Sequence, residues 1–357
     1  MRPNIRCKDR IFTALIVGLL WSFIVFKPVN GFGQPIETEE ETERLGVLPV
    51  PTFGYAPETN FYVGAATLLT YRFKEQRLSN ATIEFTYTLN KQSIISLDYF
   101  LFPNKYLAIR GEWSRKNFPD LYWSIASPWQ EGEAYTLQSF AGNTSLLYVN
   151  QANRAIMLGP YFEYRRLNVS EYLDRGILDY EVSSKDLSFF ALGADLIYDS
   201  RDQVLTPSKG TYFLLRYKRF SNVASAVELD SRYYKNIKNK LVVAGQFISR
   251  LSDISEQLQL DKYGNSMFLR GYYEGNFRAS NAMAAQIELR FPVIGRFGLA
   301  TFGGLARVGH TGMNYGLYTY GGGLRFKIDR QSNVNIRFDY ALGRQNSGFY
   351  IGFGEAF

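Results

Sequence analysis

The sequence contains one cysteine and one histidine in 357 residues. The cysteine, Cys7, precedes an N-terminal apolar run, so disulfides, thiolate–metal sites and a cysteine nucleophile are excluded for the rest of the chain. A zinc site needs three or four ligands, and a serine–histidine–acid triad could be built only on His310. We expect His310 to be a solvated residue at a strand end or in a short loop. The sequence therefore predicts no enzymatic activity, no metal and no cofactor.

Two further features are scarce, namely long apolar runs after residue 33 and clustered positive charge. No segment there approaches the roughly 20 apolar residues of a membrane helix. The net charge is +7, but residues 1–33 hold five basic residues against Asp9, or +4, which leaves about +3 (7 − 4) for the rest. Charges of both signs are spread along the chain, so we predict no nucleic-acid partner.

The N-terminal segment has the layout of a secretory signal peptide. Basic residues precede the apolar run 11–26, and small residues suited to cleavage follow it. We predict a signal peptide over residues 1–33, cleaved after Gly31 or Gly33. The alternative is an uncleaved membrane anchor, for which the run is short. Residues 34–46 are predicted to form a short acidic linker, and we expect no periplasmic domain to fit between the signal and the first strand.

Aromatic residues are abundant, at 16%, and they lie in segments that alternate apolar and polar side chains. Near the C-terminus, for example, Met283, Ile287 and Phe291 alternate with Gln286 and Glu288. Alternation over about 10 residues is typical of a strand with one face in lipid and the other in a polar lumen. Such strands keep the average hydropathy low, which agrees with a mean hydropathy of −0.19.

Sixteen such strands are predicted, and an even number is expected for a bacterial barrel. They span about 47–56, 60–73, 80–89, 92–102, 105–116, 134–149, 154–167, 186–199, 209–220, 225–236, 240–250, 281–292, 296–309, 318–328, 333–342 and 348–357. Long connections such as 117–133, 168–185, 251–280 and 310–317 alternate with short ones, as extracellular loops alternate with periplasmic turns. We therefore predict an all-β fold, a 16-stranded antiparallel transmembrane β-barrel over residues 47–357. Its location would be the outer membrane of a Gram-negative bacterium, among the lipids of that membrane.

One long segment, 251–281, has no clear helical or strand period. It carries Arg270 among large apolar and aromatic residues, which is a poor composition for a solvated, disordered loop. We predict that it folds into the lumen, where the arginine needs a carboxylate partner, and Glu288 faces the lumen by the alternation. Gly271 would allow close approach or a positive φ, and Tyr272 adds contact area with a polar end. The alternative is an ordinary surface loop with an exposed arginine.

Four segments carry a resemblance to a known family. They are the motif Arg270-Gly271-Tyr272 in its long loop, the turn formed by residues 198–202 and 207–212, the strand 288–292, and the ending 353–357. This pattern is similar to that of the outer-membrane protein 85 superfamily, the barrels of outer-membrane assembly factors, two-partner secretion transporters and related surface antigens. The resemblance spans residues 48–357 and is specific from about Ser188 onward.

The resemblance implies a loop held inside the barrel by its arginine, with Glu288 as one of the inward carboxylates. An aspartate expected on the next strand is replaced by Gly304. We therefore expect fewer carboxylate partners for Arg270 than is usual in the family, and a looser anchor. The aromatic residues Phe353 and Phe357 would form the signal that the barrel assembly machinery reads. Substituting or deleting Phe357 should then impair assembly of the barrel in the outer membrane.

The same resemblance implies insertion or translocation of proteins or lipids, through a weak seam between the first and last strands. Pro49 and Pro51 interrupt the first strand, and proline removes donors from the ladder. Family members that insert or secrete proteins carry periplasmic repeats, and we expect none here, so other outer-membrane or periplasmic proteins would be partners. The alternative is a passive pore or a structural barrel subunit of an outer-membrane complex.

Overall fold

A computed structural model describes residues 45–73, 76–238, 240–265, 267–328 and 335–357. The predicted signal peptide and all but the end of the predicted linker lie outside these residues. The wall strands are β1 (Gly46–Ala56), β2 (Asn60–Arg72), β3 (Leu78–Thr88), β4 (Ser93–Asn104), β5 (Leu107–Tyr122), β6 (Glu133–Val149), β7 (Ile156–Ser170), β8 (Asp186–Asp199), β9 (Gly210–Phe220), β10 (Ser225–Ile237), β11 (Leu241–Ser252), β14 (Asn281–Ile294), β15 (Phe297–His310), β16 (Met313–Lys327), β17 (Asn335–Gly343) and β18 (Asn346–Phe353). Two short strands, β12 (Asp261–Tyr263) and β13 (Phe277–Ala279), form a separate hairpin.

The sixteen wall strands close into an antiparallel barrel, which confirms the predicted fold class. Chain neighbours pair throughout, except that β11 pairs with β14 across the intervening hairpin and β1 pairs with β18. The two longest connections, 171–185 and 253–280, lie at the same rim, which is therefore the extracellular one. The first of them contains a short helix, α1 (Ile177–Glu181). No helix in the described part of the chain is long and apolar enough to cross a membrane.

The wall alternates apolar residues outside with small or polar residues inside. In β14, Met283 and Ile287 are 49% and 51% exposed, whereas Ala284 and Glu288 are buried. Only closed barrels and helices satisfy every backbone group in a bilayer, and this wall has both closure and an apolar outer surface. The strand pattern that the sequence predicted therefore has the expected physical consequence, a surface suited to lipid.

Three boundaries differ most from the prediction. Strand β5 continues to Tyr122, beyond the predicted residue 116. The predicted loop 310–317 is a tight turn, because His310 already pairs with Met313. Strand β18 ends at Phe353, so the prediction that it reaches residue 357 is wrong. At Gly354 φ is +74°, a left-handed conformation that turns the chain out of the sheet and into the lumen.

The seam between β1 and β18 has the shortest ladder in the wall. It pairs Tyr55 with Ile351 alone, while the neighbouring β17–β18 ladder continues along the whole of β18. Ring contacts add to the seam, with centroids 5.3 Å apart for Phe53 and Phe353. Because the chain turns away at Gly354, residues 46–52 of β1 pair with β2 on one side and with no residue that the structure describes on the other.

Candidate functional site

Residues 253–280, the lumen loop, fold back into the barrel, as the sequence predicted. The loop is not structureless, because Tyr263 pairs with Phe277 in the β12–β13 hairpin. Its buried side chains Leu269 and Tyr272 pack with this hairpin against the inner face of β14 to β16. The wall residues in that contact are Ala282, Ala284, Ala306, Val308 and Leu317. Burying a large apolar side chain contributes about 1.5–3 kcal/mol, so this packing holds the loop before any charge is counted.

Arg270 lies at the centre of the loop contacts, and its side chain is fully buried. Its Nη2 is 2.7 Å from an oxygen of Glu288, and its Nη1 is 2.8 Å from an oxygen of Asp339. The guanidinium carbon is 3.4 Å from the centroid of the Phe302 ring. The backbone carbonyl of Arg270 accepts a hydrogen bond from the hydroxyl of Thr319. A planar fork held by two carboxylates and a ring fixes both position and orientation.

The second carboxylate corrects the prediction of fewer partners. Gly304 does stand on β15 without a carboxylate, but Asp339 on β17 lies beside Arg270 instead. The alternation of β17 indicates that Asp339 faces the lumen. Its height in the barrel depends on the registers of β14 to β17, which no local pattern reveals. The expectation of a looser anchor therefore loses its basis.

Around Arg270 the lumen holds a buried ionic cluster of four arginines and three carboxylates. Arg290 lies 2.8 Å from Glu288, and Arg325 lies 2.6 Å from Asp339. Arg325 is also 2.6 Å from Glu355, which follows the end of β18. Arg337 lies 3.7 Å from Asp339, and the remaining member, Arg270, belongs to the lumen loop. The cluster thus joins the loop, the wall and the segment 354–357 in one network, so the cost of burying each charge is offset by its partners.

Gly271 and Tyr272 continue the contact along the inner wall. Gly271 has φ of +99°, and its N–H donates a hydrogen bond of 2.8 Å to the hydroxyl of Tyr350. The Tyr272 hydroxyl donates to the carbonyl of Tyr318 at 2.9 Å. A Cβ on Gly343 would lie 2.6 Å from the Tyr272 ring, so only glycine leaves room for that ring. Sequence analysis missed Gly343, because nothing local marks the position of a ring from another segment.

At the extracellular rim the lumen loop contacts the ends of other strands. Lys262 lies 2.7 Å from Asp120 on β5, and the Tyr273 hydroxyl donates to the same carboxylate at 3.2 Å. Glu58, in the β1–β2 turn outside the strands, is also buried. Burial and the nearby charge of Glu274 raise the pKa of Glu58 to about 8. The loop therefore faces the carboxyl group of Glu58. The contact between them is most favourable when that group is protonated and neutral.

At the periplasmic rim the segment 354–357 folds inward over the lumen. The backbone N–H of Glu355 donates to the carbonyl of Leu205, in the β8–β9 turn, at 2.9 Å. Arg290 donates to the carbonyl of Phe357 at 2.9 Å. The Phe357 ring is 5% exposed and lies 6.4 Å from the ring of Tyr234. Phe357 therefore lies inside the barrel and not on a strand, while Phe353 ends β18. Their role as an assembly signal stays a prediction.

His310, predicted to be solvated, is buried at 6% exposure, with Nδ1 3.2 Å from the hydroxyl of Ser280. The prediction is wrong because His310 is still paired, with Met313, at the last position of β15, and Ser280 at the end of the lumen loop lies against it. Within the described ranges, no group of three or more histidine, cysteine, aspartate or glutamate side chains could hold a metal ion. The ionic cluster around Arg270 holds the lumen loop in place by paired charges.

No protein-family model matches the sequence, and no curated protein matches it significantly. Among solved structures, the chain is similar to BamA from Haemophilus ducreyi lacking POTRA domains 1-3, with TM-score 0.61 and 12% identity over 95% of this chain and 77% of that one. CdiB from Acinetobacter baumannii gives 0.57 and 12%, over 87% of this chain and 59% of that one. CdiB from Escherichia coli gives 0.56 and 11%, over 85% and 62%. Identity this low shows the fold alone.

Fold and surface together establish where the chain resides. The wall is closed, has an even number of strands and is apolar outside, as in barrels of the bacterial outer membrane. The similar structures have the same kind of barrel. The chain is therefore an outer-membrane β-barrel of a Gram-negative bacterium, and the predicted location is confirmed.

Proposed function

We propose that this barrel takes part in the insertion or translocation of proteins or lipids, and that its seam is the site of action. The observation that carries the proposal is the β1–β18 ladder, which pairs Tyr55 with Ile351 and no other residues. Residues 46–52 of β1 lie beyond that ladder, and among the described residues nothing pairs with this edge of the strand. An exposed edge is a template for another strand, because main-chain groups can add a ladder there.

The filled lumen supports a route through the seam over one through the centre. The lumen loop is held to the wall by Arg270 and by apolar packing. At the other rim, residues 354–357 contact the β8–β9 turn. Opening the seam requires breaking only the few contacts between β1 and β18. Clearing the lumen requires breaking a buried ionic cluster, which costs several kcal/mol.

Partners are part of the proposal. The similar BamA structure is described as lacking some of its POTRA domains, so that protein has domains besides its barrel. We infer that other outer-membrane or periplasmic proteins supply comparable parts to this barrel and deliver what the seam accepts. Arg270, Gly271, Tyr272 and Glu288 would then serve to anchor the loop and keep the lumen filled while the seam opens.

A disulfide across the seam tests the proposal. Tyr55→Cys with Ile351→Cys would lock the one paired position, since directly opposed residues of antiparallel strands lie within disulfide reach. The matched control joins the same Ile351→Cys to Phe338→Cys, its partner in the β17–β18 ladder. The protein without residues 1–33 has no other cysteine. The probe is a small urea-unfolded outer-membrane barrel that folds into liposomes containing each variant.

We expect the unlocked protein to accelerate folding of the probe, the oxidised seam lock to abolish the acceleration, and reduction to restore it. The control disulfide should leave the acceleration unchanged. Equal acceleration by the locked seam would refute the proposal. The alternative, a passive pore or structural subunit, predicts no acceleration by any form. Planar-bilayer conductance before and after deletion of residues 262–278 separates a plugged translocase from an open pore, because a pore already conducts with its loop in place.

A further inference from the structure

Four arginines point outward from the barrel wall near its extracellular rim. They are Arg115 on β5, Arg166 on β7, Arg219 on β9 and Arg307 on β15, and all four are exposed. Register places Arg115 beside the exposed Phe140, which in turn pairs with Arg166. Opposed residues of paired strands share a face, so both guanidinium groups lie on the lipid side.

The outward residue next below each arginine is aromatic or a leucine. Trp113, Tyr164, Tyr217 and Leu305 take these positions on the four strands. The ring of Phe140 lies 5.6 Å from Trp113 and 6.2 Å from Tyr164, between the first two arginines. Aromatic side chains form belts at the boundary between hydrocarbon and headgroups, and a charge beyond that boundary is tolerated where one at the midplane is not. The arginines therefore lie at headgroup level.

Their guanidinium groups are largely uncommitted within the protein. Arg115 has no hydrogen bond or ion pair with any residue that the structure describes. Arg219 donates one bond of 3.4 Å to Ser225, and Arg307 donates one of 3.3 Å to Asn314. Arg166 lies 3.5 Å from Asp186, with both side chains more than half exposed. An arginine fork matches the oxygens of a phosphate group, which these contacts leave room to bind.

An apolar furrow lies directly below Arg307. Its volume is about 490 Å³, and its sides are formed by Phe247, Met283, Leu305 and Tyr318. Gly316 forms part of its floor, and no atom lies within 4 Å of where its Cβ would be. A cation above an apolar furrow of this size complements a lipid, with the charged headgroup at the rim and part of an acyl chain along the wall.

We propose that Arg115, Arg166, Arg219 and Arg307, the arginine belt, bind the phosphate groups of anionic lipids in the outer leaflet. The belt would fix the barrel at a defined height in the membrane. It lies on the outer surface, apart from the lumen loop and the seam, so it acts whether or not the seam admits a client.

The test is binding of phosphatidylglycerol to the folded barrel in neutral detergent, followed by native mass spectrometry, with zwitterionic phosphatidylcholine alongside. An arginine near an anionic lipid surface strengthens binding about fivefold, so Arg115→Gln with Arg166→Gln should weaken phosphatidylglycerol binding about 25-fold. The matched control is Lys116→Gln, next in sequence to Arg115 but on the lumen face, and it should change nothing. A second pair, Arg219→Gln with Arg307→Gln, gives an independent result if the first pair does not fold.

Three outcomes would overturn the belt. The first is unchanged phosphatidylglycerol binding in either folded double variant. The second is an equal loss in Lys116→Gln, which would mean that total charge and not position matters. The third is equal binding of both lipids by the unaltered barrel. A loss confined to the belt variants, and to the anionic lipid, supports it.

Discussion

Arg270→Ala gives the sharpest test of how the lumen loop is held. The substitution removes two ion pairs of 2.7 and 2.8 Å and the contact with Phe302. Glu288 keeps Arg290 at 2.8 Å, so it is not left as an unpaired buried charge. Asp339 likewise keeps an arginine of the wall. Removing one partner from a buried pair costs about 3–5 kcal/mol, and the remaining partners place this case at the low end.

A cost of about 3 kcal/mol raises the population of the undocked loop about 100-fold. Tryptic cleavage measures this population, because Lys262 and Arg278 lie in the loop. Arg278 is only 5% exposed, so trypsin reaches it only when the loop undocks. When opening is fast relative to cleavage, the cleavage rate follows the open population. The assay measures the rate of tryptic cleavage after these two residues, by mass spectrometry, in the folded barrel in detergent. Seam and wall should stay intact, so heat-modifiability on gels should persist.

Two control variants sharpen the result. Arg270→Lys keeps the charge without the fork and should give an intermediate rate. Arg110→Ala removes another lumen arginine, whose Nη1 donates to the Tyr212 hydroxyl at 2.8 Å, away from the loop. It should leave cleavage of the loop unchanged. If Arg270→Ala is cut no faster than the unaltered protein, the paired charges do not hold the loop and the reasoning fails.

Two further predictions concern the same loop. Gly343→Ala should displace the Tyr272 ring, at a cost of about 1–3 kcal/mol, and speed tryptic cleavage, whereas Gly245→Ala, which has open space around it, should not. Equal cleavage rates in these two variants would show that the position of the Tyr272 ring does not depend on the space above Gly343. Glu58 has a pKa of about 8, above its usual value, so its contribution to stability is present below about pH 4.5 and is lost as the pH rises through 8. Hydrogen exchange of the loop around Glu274 should therefore show protection falling from pH 5 to 8.5, and Glu58→Gln should remove that dependence. A dependence that persists in this variant would point to another group.

The sequence alone was enough for the architecture. Residues in a strand alternate between two faces, so lipid on one side and a polar lumen on the other leave a mark that is readable residue by residue, as in β14. The lengths of the connections then distinguished the extracellular rim from the periplasmic rim. The place of Arg270 also followed from local composition, because an arginine among aromatic residues suits neither a solvated loop nor lipid. Glu288 was found by the same alternation.

Only the tertiary structure decided which inward residues meet. Asp339 was readable as inward, but its approach to Arg270 depends on the accumulated register of four strands. Gly343 matters because a ring from a distant segment occupies the space above it. The turn at Gly354 and the burial of Phe357 likewise depend on partners remote in sequence, Leu205 and Arg290 among them.

The physical reason is the range over which each interaction acts. Alternation, turn residues and apolar runs act between chain neighbours, so they are present in the sequence as patterns. Contacts across a barrel lumen join residues whose separation is set by strand tilt and register together. A shift of one strand by two residues would keep every side chain on its face and still move Asp339 or Glu355 out of reach of the arginines.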